Sequence, residues 1–257
     1  MLSVIHASPK RSALACLIAA ALSLPAFAAS EHKGGDHEQR SYDARTGMQI
    51  SGQRPAAGAQ AQALAALNAS LPELSYEIDP VSGVTRTLSN MTGYLTGPKP
   101  AADNAQTGLA FVHENAVLLG LRPEDLGEYE ITDDVQSQAS PVRHLYLRQK
   151  HQDVPVYNGQ LQVHVDREGR VLMVNNGFVP NLAASVNRLQ PQVTPEQALA
   201  AAATNLSRAI GPVLRTNSEG GAVQRTVLSA PQFSKAPVEA TLMLLPVAAG
   251  ETRLVWN

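Results

Sequence analysis

The sequence predicts an α+β protein with two small antiparallel sheets, each carrying a helix. Three observations carry that prediction. In the stretch VPVYNGQLQVHVD beginning at Val154, Leu161, Val163 and Val165 alternate with Gln160, Gln162 and His164, the period of a strand with one wet face. Ala105, Leu109, Val112, Ala116 and Leu119 recur at helical spacing and form one apolar stripe. Hairpin-scale links then join helix, strands, helix and strands in that order.

Taken in order, residues 30–62 are polar, Gly-rich and aperiodic and read as a mobile leader, with the ordered part starting near residue 76. A short helix is expected over 64–71, ended by Pro72. Asp79-Pro80-Val81-Ser82-Gly83 has turn chemistry, a weakly apolar stretch covers 88–95, and Gly97-Pro98-Lys99-Pro100 interrupts the chain. Asp103 can cap the next helix, Gln106 lies at capping-box spacing, and Gly120 stands where a left-handed C-terminal cap belongs. Phe111 and Leu118 lie off the stripe, so this helix is expected to be covered on a second side.

Strands are expected over 129–131 and 142–148, where Leu145 and Leu147 alternate with His144, Tyr146 and Arg148. The stretch 154–178 is a hairpin turning at Asp166-Arg167-Glu168-Gly169. Thr194-Pro195-Glu196-Gln197 opens a second helix running to about residue 206, with Thr194 as cap, Pro195 at the first helical position and Gln197 reaching back. Residues 211–231 read as loop with short strands. Residues 240–245 and 252–256 read as a hairpin broken at Ala248-Ala249-Gly250. The chain stops inside that last strand, which reads as truncation of the second domain or as a domain that continues elsewhere.

Export is expected from the first 28 residues. Lys10 and Arg11 precede the apolar run SALACLIAAALSL, and Ala26-Phe27-Ala28 supplies the small-x-small pattern for cleavage between Ala28 and Ala29. The run is short for a transmembrane span, so a secreted or periplasmic product free of the membrane is expected after cleavage. Lys10 and Arg11 leave with it, so 20 basic residues become 18 against 22 acidic ones, a balance that argues against nucleic acid or an anionic membrane as partner. Cys16, the sole cysteine, also leaves, and stability must come from the core, for which 44% apolar residues suffice.

Catalytic motifs are hard to find. His113-Glu114-Asn115-Ala116-Val117 approaches the His-Glu-x-x-His zinc helix, but Val117 occupies the second ligand position, and both polar residues read as solvated. There is no Gly-x-Ser-x-Gly elbow and no phosphate loop of known spacing. His32 and His37 lie in the leader, where metal binding would cost ordering entropy. His144 and His164 fall on the polar phase of their strands. No catalytic residue, metal ligand or cofactor is expected from these residues.

The stretch LYLRQKHQDVPVYNGQLQVHVDREGRVLMVNNGF resembles the propeptides of fungalysin-type secreted zinc metallopeptidases and, more distantly, those of thermolysin-type enzymes. The resemblance runs through Val154-Pro155-Val156-Tyr157-Asn158-Gly159, read as a turn, then Val163-His164-Val165-Asp166 and Gly169. Asp153 stands where a glycine is common. SNMTGYLTG (89–97) and FVHENAVLLGLRPEDL (111–126) resemble the FTP region; VTPEQALAAA (193–202) resembles the helix start of a PepSY, cystatin-like domain, and TRLVWN (252–257) the strand that precedes the catalytic domain.

This resemblance implies residues 1–28 as signal peptide, 29–75 as leader, 76–138 as an FTP-like domain and 139–257 as a PepSY-like domain. It implies inhibition and assisted folding of a cognate metallopeptidase catalytic domain, which would hold the zinc, and no catalysis by this chain. Tyr157, Asn158, Gly159 and His164 are candidate contacts to the protease, although Tyr157 more simply covers its own sheet. The alternatives are a free-standing exported inhibitor or peptide-binding module, or the front part of an active metallopeptidase.

Overall fold

A computed structural model describes residues 56, 58–99 and 103–257. The expected signal peptide, Ala28 and Ala29, and the leader through residue 55 lie outside the described residues. The chain divides into two compact units, one running to Asn187 and including Leu244–Arg253, the other holding Arg188–Met243 and Leu254–Asn257.

The first unit opens with α1 (Gly58–Ser70). The expected leader therefore gives way to helix at Gly58, several residues before the expected 64–71. AQAQALAALNAS is rich in strong helix formers, but only Leu64 is fully buried, so its amphipathic signal is weak. Gln60 Nε2 anchors this helix by donating to the Gly83 carbonyl and Thr85 Oγ1, both at 3.1 Å.

Strands β1 (Leu74–Ile78) and β2 (Thr85–Asn90) form an antiparallel hairpin. Asp79 shapes its loop by accepting from the Val81 and Ser82 N–H groups at 3.0 and 2.8 Å.

Helix α2 (Asn104–Glu114) starts where expected, but Asp103 Oδ1 takes the Ala105 N–H at 3.1 Å rather than forming a box with Gln106. Arg143 then holds Asp103 at 3.0 Å and grips both carboxylate oxygens of Asp134. Beyond Glu114 the chain continues in turns to Gly120, whose φ is +77°. The Gly120 N–H reaches the Val117 carbonyl at 3.0 Å and the Leu121 N–H reaches that of Ala116 at 2.8 Å, the bond pair of a left-handed helix closure. A 3-10 turn (Pro123–Leu126) follows.

Next come β3 (Tyr129–Gln136), β4 (Val142–His151), β5 (Val154–Asp166) and β6 (Val171–Asn176), then the single-turn α3 (Leu182–Ser185). The antiparallel order is β1-β2-β6-β5-β4-β3. Late in the chain, β10 (Leu242–Ala248) meets β5 in a parallel contact between Leu244 and Val156.

The inward phase buries Leu88, Leu145, Leu147, Leu161, Val163, Val165, Val171 and Val174 in one core with Val112, Leu118 and Leu119. Each such side chain contributes about 1.5–3 kcal/mol on removal from water. Phe111 joins the same core, so the helix is covered as its off-stripe residues predict. Helix and sheet approach at Gly108, where an added Cβ would lie 2.8 Å from Val163 Cγ1.

The β5–β6 turn closes around buried Asp166. Its Oδ1 accepts from the Glu168 and Arg170 N–H groups at 2.9 Å each, and its Oδ2 accepts from Arg170 Nε at 2.8 Å. Burial raises the Asp166 pKa, but Arg170 and these backbone donors outweigh it and hold the carboxyl below its ordinary value.

The division expected between residues 138 and 139 falls inside this unit. β3 and β4 pair from Tyr129↔Gln149 to Gln136↔Arg143, so residues 138 and 139 only cap a continuous ladder. The two units part at Asn187 and Arg188.

The second unit holds α4 (Pro195–Asn205) and a sheet of β7 (Leu214–Ser218), β8 (Thr226–Ser229) and β9 (Val238–Ala240). Thr194 and Gln197 form the expected capping box at 3.2 and 2.8 Å. Leu199 and Ala203 pack with Leu228, Phe233 and Val238. Ala240 belongs to β9, not to the final hairpin, which is formed by β10 and β11 (Glu251–Trp256). Trp256 Nε1 donates to the Val193 carbonyl at 2.9 Å, just before the helix cap.

Two measurements check this reading. Gly120→Ala puts a Cβ 2.9 Å from Val84 Cα on a left-handed backbone, and is expected to lower unfolding free energy by about 1–3 kcal/mol in urea titrations. Glu196 pairs with Arg215 at 2.7 Å, and that guanidinium holds its carboxyl at about 2 against an ordinary 4.5. A depressed carboxyl stabilises fully above the ordinary value and loses that contribution as pH falls towards 2. Glu196→Gln should therefore be less stable than the parent at pH 6 and show a shallower loss of stability between pH 5 and pH 2, read from denaturation curves.

Candidate functional site

Strands β4, β5 and β6 position every sequence-predicted site residue among the described ones. β4 turns into β5 through Gln152 and Asp153, both left-handed, at φ +48° and +63°. This is the tight hairpin geometry in which glycine is usually favoured. Asp153 is accommodated because Glu128 takes the N–H of Gln152 at 2.7 Å and of Asp153 at 2.5 Å, while Lys150 Nζ pairs with the Asp153 carboxylate at 2.9 Å.

Tyr157-Asn158-Gly159, expected from the sequence to be a turn, therefore does not reverse the chain. It is a bulge inside β5: Pro155 pairs with Lys150 and Gln160 with Arg148, so four residues of β5 stand opposite Gln149 alone. Asn158 is left-handed at φ +56° and exposed. Backbones converge here, since a Cβ on Gly177 would lie 2.9 Å from the carbonyl oxygens of Asn158 and Gln160. Tyr157 is half-buried.

Gln149 continues the inward phase of Leu145 and Leu147 and is completely buried. Its amide clasps Val179 from both sides, accepting from the Val179 N–H at 2.7 Å and donating to the Val179 carbonyl at 3.0 Å. It also donates to the Asp125 carbonyl at 3.2 Å. The buried Asp125 carboxylate accepts from the backbone N–H groups of Arg122, Asn181 and Leu182 at 2.9, 2.9 and 3.0 Å. Asn176 adds a third tie, from its Nδ2 to the Leu119 carbonyl at 3.1 Å and from the Phe178 N–H to its Oδ1 at 2.9 Å. Sequence reasoning missed Gln149 and Asp125. The signals available were the alternation reaching position 149 and the Arg122-Pro123-Glu124-Asp125 spacing of a helical cap.

The opposite, helix-free face of the sheet is the wet one. Its register aligns Val135, His144, His164, Met173 and Ser89 across β3, β4, β5, β6 and β2. A second row aligns Asp133, Tyr146, Gln162, Asn175 and Thr87. Val135 and Met173 are 42% and 36% exposed, so apolar surface lies open among polar groups. His144 and His164 face each other with Nδ1 atoms 2.6 Å apart and rings edge to face at 4.7 Å. Burial, then the adjacent His144, lower the His164 pKa.

His164 lies towards the Asp166 end of β5 and Tyr157-Asn158-Gly159 at its bulge, so the four residues do not form one cluster. Among the described residues no three His, Cys, Asp or Glu side chains gather as metal ligands, and none of the helices is long and apolar enough to cross a membrane. His113 and Glu114 are exposed on α2, as expected of solvated residues.

A family model described as the Fungalysin/Thermolysin Propeptide Motif matches residues 127–178. The matched segment contains β3 to β6, the Gln149 side chain, the β5 bulge, and His144 and His164. No curated protein matches the chain.

The polar clasp has a measurable weight. Gln149→Leu strands the Val179 N–H and carbonyl and should cost about 2–3 kcal/mol, and Asp125→Ala, which strands three N–H groups, about 3 kcal/mol or more. Chemical denaturation followed by circular dichroism would check both values.

Proposed function

We propose that this chain is the propeptide region of an exported zinc metalloendopeptidase of the thermolysin and fungalysin kind, and that it acts as inhibitor and folding assistant of the catalytic domain. The match over residues 127–178 carries the reading. Its structural counterpart is a self-contained set of hairpins around a buried polar clasp, with one sheet face open to solvent. A rigid antiparallel face with scattered apolar side chains suits docking to a folded partner. The near-match His113-Glu114-Asn115-Ala116-Val117 cannot chelate zinc through Val117, so zinc on this reading belongs to the partner catalytic domain.

In the same reading residues 76–138 extend the FTP-like part, residues 139–257 include a PepSY-like part with its capped helix at Thr194, and residues 1–28 direct export. Tyr157, Asn158, Gly159 and His164 contribute to contacts with the protease from two places along β5.

Purified chain starting at residue 29 should slow peptide hydrolysis by a thermolysin-like or fungalysin-like catalytic domain and show no turnover alone. Val135→Glu, which places a charge on the open sheet face, should weaken inhibition about tenfold with an unchanged circular dichroism spectrum. Full protease activity at high micromolar chain would refute the inhibitory role.

A further inference from the structure

We propose that His144 and His164 form an acid-released latch between β4 and β5 on the open face of the first unit's sheet. This latch stands independently of the propeptide reading. The two residues are directly opposed in the ladder, with Nδ1 atoms 2.6 Å apart and rings edge to face at 4.7 Å. At that separation a hydrogen lies between the nitrogens, one ring donating it and the other accepting.

The bond tolerates one added proton and not two. With both rings neutral, the donor carries its hydrogen on Nδ1 and the acceptor carries its own on Nε2. A first proton from solvent takes the free Nε2 lone pair of the donor ring. The resulting imidazolium still donates through Nδ1, now in a charge-assisted bond. The only ring lone pair then left is the one already holding the bond, on the acceptor's Nδ1. A second proton there removes the acceptor and sets two N–H groups and two positive charges against each other.

The ladder keeps the rings opposed, since pairs continue on both sides from Arg143↔Val165 to Leu145↔Val163. Val135 and Met173 flank the histidines in their row, and Ser89 follows on β2. The next row brings Asp133 on β3 and Tyr146 on β4, then the uncharged Gln162, Asn175 and Thr87. Glu130 and Arg148, further along, face each other at 3.7 Å, and Asp166 at the end of β5 is neutralised by Arg170. Among the described residues no ion pair joins either ring to a carboxylate. Burial, then the adjacent His144, hold the His164 pKa below its ordinary 6.5. An imidazole lowered in this way adds its full stability above the ordinary value and loses it as pH falls through the lower folded one. The latch is therefore closed at neutral pH and opens in acid.

The test uses the full chain. Nitrogen NMR of the imidazoles, followed from neutral pH into acid, should show His144 and His164 taking up two protons in linked steps. The second should bind at least about tenfold less tightly than the first. His144→Phe keeps a ring in the row but removes the bond, and His164 should then titrate in one step at higher pH than the second step of the pair. Urea curves at about pH 7.5 and about pH 5, above the carboxylate range, should show the parent losing more stability in acid than His144→Phe. The remaining histidines are common to both chains, so the difference isolates this pair. Independent titration of both parent rings at the ordinary histidine value, or equal acid losses in parent and variant, would overturn the latch. If His144→Phe fails to fold, the parent titration decides alone: linked steps support the latch and independent steps rule it out.

Discussion

The first unit depends on a buried polar clasp. Asp125 takes three backbone N–H groups, and Gln149 takes both polar groups of Val179. These groups sit at the start of the 3-10 turn after α2, at the exit from β6 and at the first residue of α3, where they would be stranded in a purely apolar core. A buried side chain that satisfies several such groups at once fixes where each segment lies. The cost of losing one partner is the desolvation of all the groups it served, so the clasp specifies the fold more sharply than its bond count suggests.

The shape of β5 follows from that clasp. Gln149 occupies the space opposite four residues of β5, and the strand accommodates it by bulging at Tyr157-Asn158-Gly159. The bulge separates β5 into a part that pairs with β10 through Val156 and a part that continues the sheet through Asp166. Asp166 then closes the far turn with a carboxylate whose negative charge is held by Arg170. One face of the sheet is left wet, with the two aligned rows running across it. Such a surface serves the docking proposed for the chain, and the register of β4 against β5 holds two histidines on it in ring-to-ring contact.

The segment that matches the propeptide motif lies in the middle of the first unit. It contains four strands, both tight turns and the Gln149 side chain. Asp125 lies just before it, and Val179 and Asn181 just after it, so the motif's boundaries cross the clasp that completes its fold. The second unit is built separately, around a helix capped at Thr194 and a three-stranded sheet.

The sequence by itself determined the elements whose causes are local. Thr194, Pro195 and Gln197 specify a helix start through side-chain bonds to the backbone within one turn, and Gly120 supplies the left-handed conformation that closes α2. The alternation through Leu161, Val163 and Val165 determines which side of β5 is buried, because side chains on a strand alternate strictly. Tertiary structure decided what depends on distant partners. Helix α1 begins at Gly58 because Gln60 finds Gly83 and Thr85 across the core. Tyr157-Asn158-Gly159 becomes a bulge because buried Gln149 stands opposite it, and the hairpin turn moves to Gln152 and Asp153 because Glu128 supplies the missing acceptors. His144 and His164 are 20 positions apart in the chain, and only the register of β4 against β5 brings their ring nitrogens together.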